Sequence, residues 1–457
     1  MAVSALDSAL VSPLFLSGEM ASLWSEPSLI RAMLEVEAAL AWAQSEVGLA
    51  PRGLAEAIGA IGPEAFEAEA IGRSTAHSAV PAIGFLARLE SLLPADLSWA
   101  LHRGATSQDL LDTAMALLSA RSFRLLAADL AETLQALAAL ARRHAGLACV
   151  GRTYGQHAAP VTFGAKAGQW AAGLAEIGAE LAALERTVAR ASLAGPVGTG
   201  ASFGPCAESV AARFAARLGL GHEPVPWHGR RWRIARAGCW LAGLIGAAAK
   251  MATDLDSLLS TEIGEVVERD GEGRGGSSAM PHKRNPVSAT AILAAHRLAP
   301  GLAATLLGAM DVAHERGGGG WQAEWHAVPS LFGLASGALR ETHRLARSVE
   351  PVAGRMAANL ALSRGLVFAD RAADALVPRL GRAGASRAVA TACDGVRRGA
   401  FADLAEALRS AGHGEAAARC MPDDAIAAGA RLAEAAAAEA VSVAGALRAL
   451  AGEGRKP

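Results

Sequence analysis

Two long stretches of the sequence place apolar residues at alternating spacings of three and four, the pattern of one buried face of an α-helix. The repeats are heptad-like, and helices with such a face pack against a neighbour at a shallow angle. Alternating runs of Val, Ile and Thr, which are typical of strands, are nearly absent. The pattern therefore predicts an all-α protein built on a bundle of long helices. The apolar positions are Ala167, Trp170, Leu174, Ile177, Leu181, Leu184 and Val188 in the first stretch, and Ile234, Ala237, Leu241, Leu244, Ala248, Met251, Leu255 and Leu258 in the second.

Segments rich in glycine and proline separate the helical stretches, because neither residue continues a helix well at such density. Loops this long in a compact bundle are usually functional lids or disordered segments. The segments are AGPVGTGASFGP (194–205), GHEPVPWHG (221–229), ERDGEGRGGSSAMPHKRNP (268–286) and ERGGGGW (315–321).

Composition limits the class of partner. The 457 residues are 52% hydrophobic and 19% charged, with a net charge of −1, which suits two or three domains with buried cores. A net charge near zero gives no reason to expect nucleic acid or an anionic membrane as a partner. The longest uncharged apolar stretch, 237–249, is shorter than the ~20 residues of a membrane span. The N-terminus lacks the basic region of a signal peptide, and five scattered cysteines argue against a disulfide scaffold, so we expect a cytoplasmic protein.

The sequence GGSSAMPHKRNP, here called the signature loop (residues 275–286), carries the most chemistry. Its glycines let backbone amides converge on an anion, while Lys283 adds a positive charge and Asn285 an amide donor. Such groups would stabilise the charge that develops on a carboxylate when its α-proton is removed, and a serine beside them could move that proton. A solvated basic surface loop is the plain alternative, and the residue types alone leave both interpretations open.

The signature loop resembles a family motif. GSSAMPHKRNP matches the GSSxMPxKxNP signature of the fumarase/aspartase superfamily at every specified position. HRGATSQDLLDTA (102–114) is similar to the superfamily's H-x-G-x-T-S-x-D segment, and GRTYGQHAAP (151–160) to its G-R-T-H-x-Q-x-A-x-P segment. The three segments follow one another in the expected order, and the resemblance extends over most of the chain.

This resemblance implies a three-domain subunit with a central bundle of long helices. We expect an N-terminal helical domain over residues 1–105, the bundle with the signature loop over 106–345, and a C-terminal helical domain over 346–457. The superfamily also implies a homotetramer whose active sites combine segments of three subunits. Its chemistry needs no metal and no cofactor, so we expect none.

The resemblance also implies roles for individual residues. Ser277 would exchange the proton on the carbon next to a carboxylate, while Lys283 and Asn285 would hold the substrate and its developing enolate. Thr106 and Ser107 would bind a substrate carboxylate from a second segment. The remaining candidates for substrate binding are His102, Thr153, Tyr154, Gln156, Ser278, Met280 and Arg316.

Two departures from the superfamily pattern bear on the reaction. Most members pair a histidine of the G-R-T-H segment with a glutamate seven residues after the loop lysine, and this pair assists a poor leaving group. Here the two positions are Tyr154 and Thr290. A phenol with a pKa of about 10 is a weaker acid than an imidazolium. The departures therefore argue against elimination of ammonia, water or a nucleotide.

One branch of the superfamily does without that pair, the bacterial 3-carboxy-cis,cis-muconate cycloisomerases. They close a lactone, so the nucleophile is a carboxylate that is already ionised at neutral pH. The stretch HERGGGGWQAEWHAVP (314–329) resembles the E-R-x-x-G-G-W-x-A-E-W pattern of this branch. The resemblance thus implies a small tricarboxylate substrate.

Alternatives remain open at this point. An adenylosuccinate lyase-like C–N lyase shares the signature loop, and a catalytically silent, crystallin-like relative would share the fold. Trp321 and Trp325 suit either a wall of the site or the core. His157 would lie on the face of Tyr154 if a helix begins there.

Overall fold

The protein was examined as a computed structural model, which describes residues 4–452 apart from 270 and 272. The two internal residues fall within the predicted loop 268–286. In the described part the chain forms helices with two short antiparallel strand pairs, which confirms the all-α prediction.

The elements before the bundle are short helices around one longer helix. They are α1 (Ser12–Phe15), α2 (Gly18–Leu23), α3 (Glu26–Ser45), α4 (Leu54–Gly59), α5 (Ala68–Ser78), α6 (Pro81–Leu92) and α7 (Ala95–Ser98). The middle of the chain holds most of the long elements. They are α8 (Ser107–Arg143), β1 (Ala148–Thr153), β2 (Gln156–Thr162), α9 (Phe163–Ala179), α10 (Leu181–Val188), α11 (Ala207–Arg217), α12 (Trp232–Leu259), β3 (Val266–Glu268), α13 (Val287–Gly308) and α14 (Gly320–Ser348).

The remaining elements return the chain to the bundle. They are β4 (Val349–Pro351), α15 (Ala353–Ala361), α16 (Ala369–Arg397, kinked at Gly381), α17 (Leu404–Ser410), α18 (Gly414–Ala417) and α19 (Asp423–Gly452).

Helices α8, α9, α12, α13, α14 and α19 pack side by side around one large core. The second apolar stretch of the sequence is α12, and its predicted face is buried from Ala237 to Leu258. The first stretch was predicted as one helix but forms two, because the chain breaks between α9 and α10 at Glu180. Its apolar face nevertheless remains in the core on both sides of that break.

The C-terminal helix α19 lies along α8 and α9. Its small buried side chains allow close approach, and a Cβ at Gly429 would stand only 2.4 Å from the Thr162 hydroxyl oxygen. A second core lies among the N-terminal helices and the start of α8, and a third among α16, α17 and α18. The domain limits at 105 and 345 stay a prediction.

Two helices, Val287–Gly308 and Asp423–Gly452, are long and apolar enough to cross a membrane by length and composition alone. Both pack along other bundle helices, α13 against α12 and α14, and α19 against α8 and α9. Within the described chain 33% and 28% of their apolar windows are buried, so both helices leave apolar surface exposed along the bundle.

The segment GRTYGQHAAP forms a β-hairpin from β1 and β2, so the helix considered for His157 is wrong. Thr153 pairs with Gln156 around a two-residue turn, in which Tyr154 has a φ of 48° and Gly155 a φ of 74°. Two central residues with positive φ make the tight hairpin turn that matches the twist of antiparallel strands.

Candidate active site

The first part of the site is the N-terminus of α8. Thr106 caps this helix, and its backbone N–H donates to Asp109 Oδ2 at 3.0 Å in a reciprocal capping box. Ser107 is the first helical residue, so its hydroxyl and the free amides of the first turn can donate hydrogen bonds to an anion. Thr106 is buried and Ser107 half-buried.

Asp109 joins this helix start to a loop that is distant in sequence. Its carboxylate accepts from the backbone N–H of Ala194 at 3.0 Å and of Gly195 at 2.9 Å. His228 Nε2 lies 2.7 Å from Asp109 Oδ1, the oxygen that also accepts from Ala194. The carboxylate therefore fixes the backbone around Thr106 through hydrogen bonds to several separate segments.

Arg316 reaches the same place from the loop before α14, and its guanidinium contacts the Thr106 hydroxyl. A cation beside two hydroxyls and a helix N-terminus is suited to a carboxylate. The structure thus brings together three of the predicted residues, Thr106, Ser107 and Arg316.

A buried charge network anchors that loop. Arg231 donates to Asp112 on α8 at 2.7 and 3.0 Å and to Glu324 on α14 at 2.9 Å. The Trp321 indole N–H donates to Asp112 Oδ1 at 3.0 Å. Burial raises the pKa of Glu324, although Arg231 opposes this rise. Burial lowers the pKa of Arg231, but the carboxylates of Asp112 and Glu324 outweigh it, so that pKa is raised. Trp321 therefore belongs to the core and does not wall an open site.

The signature loop is closed at its base. The Asn285 backbone N–H donates to the Gly275 carbonyl at 2.7 Å, and a Cβ at Gly275 would stand 2.4 Å from the Asn285 carbonyl oxygen. Below this closure, Arg274 donates to Ser288 at 3.0 Å and to Glu341 of α14 at 2.7 Å. The loop therefore projects from a fixed base at the C-terminal end of α14.

Ser277 sits inside the loop, half-buried, with its hydroxyl oxygen turned toward backbone amides. The N–H of Met280 donates to Ser277 Oγ at 3.1 Å, and the N–H of Ala279 at 3.4 Å. Donors at this oxygen favour a negative charge on it. Ser278, Met280, Lys283 and Asn285 are exposed.

A cleft of about 950 Å³ lies beside the loop. Lys283 and Asn285 line it together with the end of α12 and strand β3. This volume suits a small ligand.

The hairpin supplies the third predicted group of residues. Thr153, Tyr154 and Gln156 stand at its tip, and the Tyr154 side chain is fully exposed. Beside this tip, Arg152 donates to Glu265, just past the end of α12, at 2.5 and 3.0 Å. The hairpin therefore extends from the end of the bundle where α12 finishes.

The second departure, Thr290, lies in the first turn of α13. Its hydroxyl donates to the Pro286 carbonyl at 2.8 Å, a local hydrogen bond at the start of its own helix. No proton-transfer role is needed to explain this residue.

Within one chain these groups do not meet. Trp321 ties the start of α14 to Asp112 beside Thr106, while Glu341, about 20 residues later, holds the base of the signature loop. That length of α-helix spans roughly 30 Å. Thr106 and Arg316 thus lie at one end of the bundle, and Ser277, Lys283 and the hairpin near the other.

A family profile described as lyase matches residues 25–301, more than half of the chain. The chain belongs to the fumarase/aspartase superfamily of lyases. It is 38% identical over 392 residues to the 3-carboxy-cis,cis-muconate cycloisomerase of Bradyrhizobium diazoefficiens, which covers 84% of this chain and 86% of that protein. It is 39% identical over 418 residues to the nitrosuccinate lyase of Streptomyces davaonensis, with 89% and 88% covered.

The superfamily fold is shared in three dimensions as well. The crystal structure of the 3-carboxy-cis,cis-muconate lactonizing enzyme from Pseudomonas putida matches with a TM-score of 0.89 at 33% identity. The match covers 95% of this chain and 100% of that chain.

Sequence reasoning on this superfamily member missed several buried charged residues, among them Arg231 and Glu37. Arg231 lies in the run RRWR at the start of α12, which carries no motif. Glu37 lies on the apolar stretch of α3 and contacts His102. A single acid inside an apolar helix face was a signal that could have identified Glu37.

Proposed function

We propose that the protein is a cycloisomerase that interconverts 3-carboxy-cis,cis-muconate and 4-carboxymuconolactone, as a soluble cytoplasmic enzyme of protocatechuate breakdown. The observation that carries this proposal is a complete signature loop without the histidine–glutamate pair of other superfamily members. Similarity to several 3-carboxy-cis,cis-muconate cycloisomerases supports it.

The missing pair suits lactone formation. One substrate carboxylate attacks an alkene carbon of the same molecule, forming the C–O bond while the alkene electron pair moves toward a neighbouring carboxyl group. The nucleophile is ionised at neutral pH, so no base is needed to activate it. The reaction is intramolecular, so positioning supplies much of the acceleration.

Ser277 then delivers a proton to the enolate carbon, and solvent replaces that proton later. The alkoxide left on Ser277 is stabilised by the amides of Ala279 and Met280, which already donate to its oxygen. Lys283 and Asn285 hold the enolate oxygens, and Ser278 and Met280 complete the loop surface.

A substrate carboxylate is bound by Thr106, Ser107 and Arg316 at the N-terminus of α8, with His102 beside them. Thr153, Tyr154 and Gln156 contact the substrate from the hairpin tip. Because the Thr106 end of the bundle and the signature-loop end lie roughly 30 Å apart in one chain, a complete site requires other copies of the chain. We propose a homotetramer, supported by apolar side chains left exposed on bundle helices, Leu298 and Leu307 on α13 and Leu432 and Val441 on α19.

A second candidate is elimination of nitrite from nitrosuccinate. Nitrite is a stable anion that departs without a proton, so the absent histidine–glutamate pair suits this reaction too. The identity to the Streptomyces davaonensis enzyme is as high as that to the cycloisomerases.

Purified protein should be mixed separately with 3-carboxy-cis,cis-muconate, nitrosuccinate and adenylosuccinate. We expect loss of the diene absorbance with the first, and no nitrite or fumarate from the other two. Nitrite release without diene loss would favour the second candidate, and cleavage of adenylosuccinate would reject the argument from the missing pair.

Shared sites are tested by mixing subunits. Thr106→Val and Lys283→Met remove groups at opposite ends of the bundle, so each homo-oligomer should be nearly inactive. Co-expressed subunits should regain measurable activity, because some sites then contain neither substitution. Continued inactivity of soluble mixed oligomers would mean that each site needs both ends of one chain.

A further inference from the structure

A second histidine–carboxylate pair lies at the α8 end of the bundle. His102 Nδ1 is 2.6 Å from Glu37 Oε1, within hydrogen-bonding distance. The Glu37 side chain is 1% exposed and the His102 side chain 17% exposed. The pair joins α3 to the turn that leads into Thr106.

Glu37 is surrounded by apolar side chains. Its neighbours on α3, Met33, Leu34, Val36 and Ala41, belong to the N-terminal core. Burying a carboxylate in such surroundings is strongly unfavourable unless a cation or hydrogen-bond donors compensate it. His102 provides that compensation best when it carries a positive charge.

The backbone at His102 is held in an uncommon conformation. Its φ of 54° lies in the left-handed region, which is strained for a non-glycine residue. Such strain persists where the surroundings fix it, and it concentrates at functional sites. Here the strained turn aims the ring at Glu37 while the chain continues to the Thr106 cap.

The geometry points to Glu37 as a positioning residue that holds His102 as an imidazolium, with Nε2–H directed to a substrate carboxylate. Because Glu37 occupies Nδ1, a ligand meets the ring through Nε2. The inference rests on the proposed carboxylate subsite of Thr106 and Arg316. It assigns this subsite a second cation, which suits a substrate with three carboxylates.

Both acidic and basic side chains lie near the His102 ring. Burial lowers the pKa of His102, but the charge and hydrogen bond of Glu37, aided by Asp109, outweigh it and raise that pKa above its ordinary value. Arg103 on the same turn donates to the Leu49 carbonyl, and Arg316 contacts Thr106 nearby. Asp109 also faces His228, so its negative charge is shared.

The charge state can be measured without substrate. In protein with 13C-labelled histidine rings, the His102 resonance is assigned by its loss in His102→Gln and then titrated by NMR. We expect a midpoint above 6.5, which falls in Glu37→Gln because the charge and hydrogen bond of Glu37 are what raise it. Glu185→Gln is the matched control, since Glu185 is similarly buried and pairs with Arg124 elsewhere. A midpoint at or below 6.5 in the wild type, or no shift in Glu37→Gln, would overturn the inference.

Glu37→Asp keeps the charge and covers the case in which Glu37→Gln fails to fold. It should retain a raised midpoint, whereas an ordinary midpoint in Glu37→Asp would count against the pair. With 3-carboxy-cis,cis-muconate at pH 7.5, Glu37→Gln should raise KM about tenfold, the loss of one charge-assisted contact, with kcat little changed. An unchanged KM would overturn the role in substrate binding. If the wild type does not turn over this substrate, the proposed function fails while the NMR titration still decides the charge state.

Discussion

Arg231 donates two parallel hydrogen bonds to Asp112, Nη1 to Oδ2 at 2.7 Å and Nη2 to Oδ1 at 3.0 Å, and both side chains are buried. The pair locks the start of α12 to the first turns of α8. Glu324 and Trp321 add the start of α14 to the same network. The proposed carboxylate subsite at Thr106 therefore rests on three helices, α8, α12 and α14, whose side chains meet at the Arg231 guanidinium.

Arg231→Met should reduce the free energy of unfolding by about 3–5 kcal/mol, because it leaves Asp112 and Glu324 buried without their cation. Urea denaturation followed by circular dichroism measures the loss. Arg230→Met is the matched control, since half of the neighbouring Arg230 side chain is exposed, and it should change stability by less than about 0.5 kcal/mol. Equal effects of the two substitutions would show that the network contributes no special stability.

Ser277→Ala should lower kcat for lactone formation by roughly 10²–10⁴-fold, the range for losing a positioned proton donor. The fold should persist, because Ser277 lies on a projecting loop. Thr290→Val is the control, since the Thr290 hydroxyl bonds only the Pro286 carbonyl among the described residues, and its kcat should stay near normal. Near-normal turnover by Ser277→Ala would remove the serine from the mechanism.

Tyr154→Phe should keep substantial turnover. The phenol stands fully exposed at the hairpin tip, and phenylalanine adopts the same turn without the hydroxyl. Steady-state kinetics would then report a change mainly in KM, as for a lost hydrogen bond to substrate. A fall in kcat as deep as that of Ser277→Ala would identify the phenol as a proton donor.

The stability that His102 contributes should decrease with rising pH. Glu37 raises the His102 pKa in the folded state above its unfolded value, although burial opposes it, so the pair stabilises fully below about pH 6.5. That contribution is lost as pH rises through the folded pKa. The difference in unfolding free energy between wild type and His102→Gln should therefore shrink as pH rises above about 6.5 and through the raised folded pKa.

The contribution of His144 to stability should have the opposite pH dependence. Burial, together with Arg143, lowers the pKa of His144, so protonating it in the folded state is disfavoured. The free energy of unfolding of the wild type should therefore fall relative to that of His144→Gln as pH decreases below about 6.5. The same slope for both histidines would contradict these assignments.

Helix α12 was predictable because its apolar repeat continues without interruption from Ala237 to Leu258. The break at Glu180 was not, because the apolar spacing passes through it unchanged. The β1–β2 hairpin was missed for a similar reason. Its strands are short, a tyrosine rarely adopts the positive φ that Tyr154 has, and the stabilising contact of Arg152 is with Glu265, far along the chain.

The sequence by itself determined the helical bundle, the superfamily and the chemical groups of the signature loop, because spacing and motif are local properties of the chain. Only the tertiary structure decided that Arg316 meets Thr106, that Glu37 meets His102, and that both lie at the end of the bundle opposite Ser277. The physical reason is the rigid length of α14, which fixes roughly 30 Å between two sets of contacts that no local pattern encodes.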